Sequence, residues 1–97
     1  MTTEVRLNAA ASRYEIYVDD ALAGIADYQD GPGATGARLF PHTEIDGSRR
    51  GQGLGAILVR FALDDTRASG RPVIPACWYV DQFMAEHPEY EDLRSAR

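Results

Sequence analysis

The stretch Arg49-Arg50-Gly51-Gln52-Gly53-Leu54-Gly55 decides the fold, because one periodicity ends there and another begins. Upstream, apolar residues alternate with period two, the mark of strands. Downstream, Leu54, Ile57, Leu58, Phe61 and Ala62 recur at i, i+3, i+4, i+7 and i+8, the apolar stripe of an amphipathic helix. Val59 and Leu63 widen that stripe, so the helix is expected to pack on more than one side. It should run from Gly53 to Ser69, with Gly70 as its C-terminal cap.

Working back from the turn, Ala37 to Ile45 reads as a strand. Gly31-Pro32-Gly33-Ala34-Thr35-Gly36 must be a loop, since three glycines and a proline suit neither element. Leu22 to Tyr28, Tyr14-Ile16-Val18 and Val5-Leu7 are three further strands, and Asp19-Asp20 supplies a turn. Working forward, Val73 to Cys77 is a short apolar run suited to a buried strand. Val80, Phe83, Met84 and His87 suggest a second helix stopped by Pro88. The expected order is four strands, helix, strand, helix. This is an α+β domain over residues 1–97: an antiparallel meander followed by a β-α-β-α unit whose last strands are parallel.

Composition narrows the function. The chain has 97 residues, enough for one domain, and a net charge of -5. An acidic chain is a poor partner for nucleic acid, which demands a dense basic face. No run approaches the length of a membrane span, and the N-terminus does not resemble a signal peptide. The single cysteine, Cys77, cannot form an internal disulfide. Together these imply a soluble, cytoplasmic protein with no nucleic-acid or membrane partner. All cations are arginines, which removes lysine-dependent phosphate loops and Schiff-base chemistry. One cysteine and two histidines offer no metal-ligand spacing.

The glycine turn carries the strongest chemical signal. A helix start leaves backbone N–H groups without partners, and the helix dipole adds partial positive charge there. Alternating glycines allow an anion to approach the backbone. Arg49, Arg50, Gly51, Gln52, Gly53, Leu54 and Gly55 therefore form a candidate phosphate or pyrophosphate cradle, with Ile45 ending the strand that leads into it. The plain alternative is a loop whose glycines merely let a helix start close to a sheet.

Arg50, Gly53 and Gly55, read as RxxGxG, resemble the acetyl-CoA pyrophosphate motif of the GNAT superfamily of N-acetyltransferases. Further stretches resemble the very small stand-alone members of that superfamily: Arg13 to Val18, Ala26-Asp27-Tyr28, His42 to Ile45, Ala62-Leu63-Asp64, Ala76 to Val80 and His87 to Tyr90. The resemblance covers nearly the whole chain in order. It implies a GNAT-like mixed sheet, acetyl-CoA as cofactor, and an amine, peptide or protein acceptor. It also implies that the strand ending at Ile45 lines the pantetheine arm of coenzyme A. The Val73–Cys77 strand would splay away from it near the thioester.

On that mapping Cys77 lies close to the acetyl group. As a thiolate it would take the acetyl group in a ping-pong scheme; as a thiol it would protonate the departing coenzyme A; as a buried side chain it would simply pack. His42 and Glu44, two apart on a strand, face the same side and are candidates for the base that deprotonates an ammonium acceptor. Thr43 points the other way. The alternative is that His42 bonds a loop and Glu44 is a solvated charge. His87 reads as an imidazole closing a helix C-terminus. Trp78 and Tyr79 either wall an acyl pocket or pack the core. The chain is expected to end without further strands closing the acceptor side. That favours an open acceptor site, or a module that binds coenzyme A, an acyl-CoA or a protein without catalysis.

Overall fold

Alternation and turn chemistry produce the first four strands. Residues 2–95 are described by a computed structural model. β1 spans Thr3–Asn8, β2 Arg13–Val18, β3 Ala21–Asp30 and β4 Arg38–Ile45. Asp19 and Asp20 have φ of 49° and 69°, the left-handed pair of a two-residue hairpin that matches strand twist. α1 (Leu54–Ala68), β5 (Val73–Ile74) and α2 (Trp78–Glu86) follow, and residues Pro88–Leu93 form a 3-10 turn.

The five strands lie in sequence order, β1-β2-β3-β4-β5. The first three pairings are antiparallel, and β4 pairs with β5 in parallel. The expected mixed α+β sheet is therefore present. Val73–Cys77 contributes only Val73 and Ile74 to the ladder, because Pro75 has no N–H to donate and the Ala76 N–H turns back to the Ile74 carbonyl at 3.0 Å. α2 starts at Trp78, with Cys77 as its N-cap residue, two residues earlier than Val80.

One face of the sheet is covered by α1. Tyr14, Ile16, Val18, Ala26, Tyr28 and Phe40 pack there against Leu54, Leu58, Val59, Ala62 and Leu63. The buried stripe of α1 is rotated from the expected one: Ile57 and Phe61 are 44% and 39% exposed. Val59, Leu63 and Thr66 take the inward positions instead, and Thr66 Oγ1 satisfies itself on the Ala62 carbonyl at 2.7 Å. Gly70, at φ 78°, ends the helix as expected.

A β-bulge sets which β4 residues face inward. Asp27 pairs with His42 and Gln29 with Leu39, so Tyr28 alone opposes both Phe40 and Pro41. The extra residue inverts the alternation. Before the bulge Arg38 and Phe40 are buried; after it Thr43 and Ile45 share the inner face with their partners Ala26 and Gly24. His42 and Glu44 are thereby sent to the outer face.

Two polar clusters brace the sheet. Inside, Arg38 is held by Asp30 through Nε and Nη2 at 2.6 and 2.9 Å, and lies 4.2 Å over the Tyr28 ring. Its Nη1 donates to the Tyr14 hydroxyl at 2.7 Å, which donates to Asp65 at 2.8 Å. Burial pushes the Tyr14 phenol well above its ordinary pKa. On the outer face, Glu15 accepts from Tyr17 Oη, Asn8 Nδ2 and Arg13 Nε at 2.7, 3.0 and 2.7 Å.

Candidate functional site

Beyond Leu39 the outer edge of β4 loses its partner. On β4, β5 pairs only with Arg38 and Leu39, and the Cys77 N–H closes the contact on the Phe40 carbonyl at 2.8 Å. From there β4 runs on to Ile45 while the chain after Cys77 turns into α2. A wedge opens between them, and α1 begins at its far end. Tyr79, on the first turn of α2, reaches the first turn of α1: a Cβ added to Gly55 would lie 2.7 Å from the Tyr79 hydroxyl.

The turn into α1 is built to leave N–H groups free. Asp46 caps the short 3-10 turn Gly47–Arg49 by accepting from the Ser48 N–H and hydroxyl, both at 3.0 Å. Those bonds hold its carboxyl below the usual range. Arg50 is then extended, and Gly51 and Gly53 have φ of 84° and 74°. Gly53 is the N-cap and has no side chain to offer the helix. Its carbonyl accepts the first helical bond, from Ile57. Among the described residues no partner takes the N–H groups of Gly51, Gln52 or Gly53, and those of Leu54, Gly55 and Ala56 precede the first helical bond.

Electrostatics single out the same place. Seven of the nine described arginines have a carboxylate partner: Arg6, Arg13, Arg38, Arg60, Arg67, Arg71 and Arg94. Arg49 and Arg50 have none among the described residues. Among the described residues, an acidic chain thus keeps its two uncommitted arginines beside a run of uncommitted N–H donors. Such an arrangement accepts a polyanion such as a pyrophosphate.

A family model described as GCN5-related N-acetyl-transferase matches residues 13–93. The chain belongs to this family. Among solved structures, this GCN5-related chain is similar to a ribosomal-protein-alanine N-acetyltransferase from Brucella melitensis biovar Abortus 2308. Identity there is 15% and the TM-score 0.60, over 88% of this chain and 62% of that one. It is also similar to an N-acetylglutamate synthase from Neisseria gonorrhoeae complexed with coenzyme A and N-acetyl-glutamate. Here the figures are 16% identity and TM-score 0.58, over 73% of this chain and 18% of that one. The chain therefore spans less than two thirds of either structure's length, and the likeness is one of fold. No curated protein sequence matches it.

The remaining candidates of this GCN5-related chain fall into separate places. Cys77 is half-buried against the core, at the N-cap of α2, and its side chain makes no capping bond. His42 and Glu44 do share a face, with Nε2 and Oε1 3.2 Å apart, but it is the outer face, and their side chains are 56% and 68% exposed. A groove of about 480 Å³ on the sheet runs from Leu22 and Ile25 past Glu44 and Ile45 to Arg50, joining that face to the glycine turn. His87 closes α2: its Nδ1 lies 2.7 Å from the Phe83 carbonyl, and its ring stacks on Phe83 at 3.9 Å. Trp78 is 72% exposed and Tyr79 half-buried.

Two features were hidden from pattern reading. Gly55 makes room for Tyr79, whereas Gly51 and Gly53 supply positive φ and would place a Cβ in open space. The sequence offers one rationale for three glycines that have two. The bulge at Phe40-Pro41 was equally hidden, although a proline inside a strand is the available signal for one.

Proposed function

We propose that the chain binds acetyl-coenzyme A and transfers its acetyl group to an amine of a small molecule, peptide or protein. The observation that carries this reading is the coincidence of unpaired backbone N–H groups from Gly51 to Ala56 with Arg49 and Arg50, the two arginines without a carboxylate partner among the described residues. Family membership supports the acyl-transfer class. When bound, the thioester supplies an activated acetyl group.

The N–H groups of the turn and the guanidinium groups of Arg49 and Arg50 hold the pyrophosphate. Ile45 and the unpaired edge of β4 orient the pantetheine arm toward Cys77. Cys77 presents its sulfur at the start of α2, as the N-cap residue. It serves there either as acyl carrier or as proton donor to the leaving thiolate. The Glu44–His42 pair removes the proton from the acceptor's ammonium, approached from the outer face.

A second reading is favoured by the exposure of His42 and Glu44: the chain holds coenzyme A and presents it without turnover. Titration calorimetry with coenzyme A tests the shared premise. Arg49→Gln and Arg50→Gln should each weaken binding roughly five- to tenfold at low salt, less than a buried charged hydrogen bond would, since exposed charges are screened. Binding that is indifferent to both substitutions would remove the site. Thiol release from acetyl-CoA in the presence of amines then separates enzyme from module. The chain has no lysine, so a mass increase without acceptor reports on Cys77 with little amine background.

A further inference from the structure

Thr43 Oγ1 is fully buried and lacks a hydrogen-bond partner, alone among the described side-chain oxygens and nitrogens. Thr43 itself is only half-buried. It lies on the part of β4 whose outer edge β5 leaves unpaired, on the inner face opposite Ala26, with Ile45 beside it. The Phe40-Pro41 bulge is what brings this residue inward and turns His42 and Glu44 out.

A buried hydroxyl without a partner weakens the fold, and valine would fill the same space without that penalty. A threonine side chain has a simple way to use such a hydroxyl. Rotation about χ1 exchanges the hydroxyl with the methyl group, so the oxygen turns from the interior toward the half of the residue that is open. The wedge between β4 and the start of α2 runs along this same unpaired stretch of β4. The strand edge itself offers N–H and C=O groups only in the plane of the sheet. Thr43 adds a donor and an acceptor out of that plane.

We propose that the Thr43 hydroxyl is a hydrogen-bonding contact for the amide-bearing pantetheine arm of coenzyme A, made by turning into the wedge when the arm is bound. The arm carries two amides, and a hydroxyl can donate to the carbonyl or accept from the N–H of either. The proposal rests on coenzyme A binding in the wedge. It makes Thr43 a cofactor-positioning residue whose cost in the free chain is recovered on binding.

Calorimetry on Thr43→Val and Thr43→Ser tests it, with two ligands: coenzyme A, and 3′-phospho-ADP, which keeps the pyrophosphate and lacks the arm. Thr43→Val should bind coenzyme A about two- to tenfold more weakly, the weight of one net hydrogen bond, and bind 3′-phospho-ADP as the wild type does. Thr43→Ser should keep the coenzyme A affinity. In the absence of ligand the urea midpoint of Thr43→Val should be no lower than that of the wild type. Equal coenzyme A affinity in wild type and Thr43→Val overturns the proposal while leaving the binding site standing. A loss shared by both ligands also overturns it, because the effect then runs through the turn or the fold. A wild-type chain that binds neither ligand removes the cofactor reading and this contact together.

Discussion

The Tyr79 hydroxyl occupies the place a side chain on Gly55 would need: a Cβ built there lies 2.7 Å from the oxygen and 3.0 Å from Cζ. The first turns of α1 and α2 meet at this contact. Burial also raises the Tyr79 phenol pKa. Gly55→Ala gains helix propensity of about 0.8–1 kcal/mol and should nonetheless destabilise, because the ring must shift. In a Tyr79→Leu background the same substitution should stabilise. Urea unfolding of the four proteins reads the reversal of sign, and a Gly55→Ala that stabilises in both backgrounds would refute the contact.

Among the described residues Arg38 is the only buried cation, and it neutralises Asp30 while donating to Tyr14. Truncating it leaves a half-buried carboxylate and a buried phenol without their donor. Arg38→Ala should cost on the order of 3 kcal/mol, and Arg38→Lys should recover only part, because an ammonium cannot reproduce the fork that grips Asp30. Denaturant midpoints check both. A full rescue by lysine would mean that charge alone, without geometry, holds the pair.

Glu15 is held at a pKa of about 2 by the Tyr17 hydroxyl first, then by Asn8 and Arg13. Its pKa when unfolded is the ordinary ~4.3. The folded chain therefore binds the proton less readily than the unfolded one, and the stability this group contributes is complete above about pH 4.5. It is lost as pH falls toward 2. Glu15→Gln should be less stable than wild type at pH 7, with the gap closing below about pH 3. A gap that stays constant between pH 7 and pH 2.5 in thermal melts would show that Glu15 does not supply this dependence.

Cys77 stands at an N-cap without capping. Serine there has an oxygen that accepts from the second or third helical N–H, so Cys77→Ser should raise stability by about 0.5–1 kcal/mol, and Cys77→Ala should not. If Cys77 carries the acyl group, both variants lose acetyl transfer and keep coenzyme A affinity. If the base on β4 does the chemistry alone, both keep much of the rate, and changes at Glu44 or His42 cost about 10²–10⁴-fold. Melts and thiol release on the same samples separate the structural effect from the chemical one.

Much of the fold was legible because strands and helices here carry clean periods. Val5 to Tyr28 alternates, Asp19-Asp20 can sit at positive φ, and Leu54 onward repeats at helical spacing. What escaped depended on partners distant along the chain. Ile57 and Phe61 satisfy the helical stripe as well as Val59 and Leu63 do; only the placement of α1 on the sheet decides between them. The single extra residue at Phe40-Pro41 has no compositional mark beyond the proline, yet it reverses every side chain after it. The glycine turn was visible as a candidate cradle, and its two arginines stood out in an acidic chain. Their lack of partners was not visible, because the other arginines find carboxylates by tertiary contact, as Arg67 does with Asp92.

The sheet order has a kinetic consequence. Every antiparallel neighbour in space is also a neighbour in sequence, so β1 to β4 can zip up through short turns, each closing at little entropic cost. Only β5 must wait: its pairing of Val73 with Arg38 closes a long loop containing the whole of α1. The wedge beside β4 is thus completed by the longest-range of the strand pairings, so refolding followed at Trp78 should lag behind the gain of strand signal.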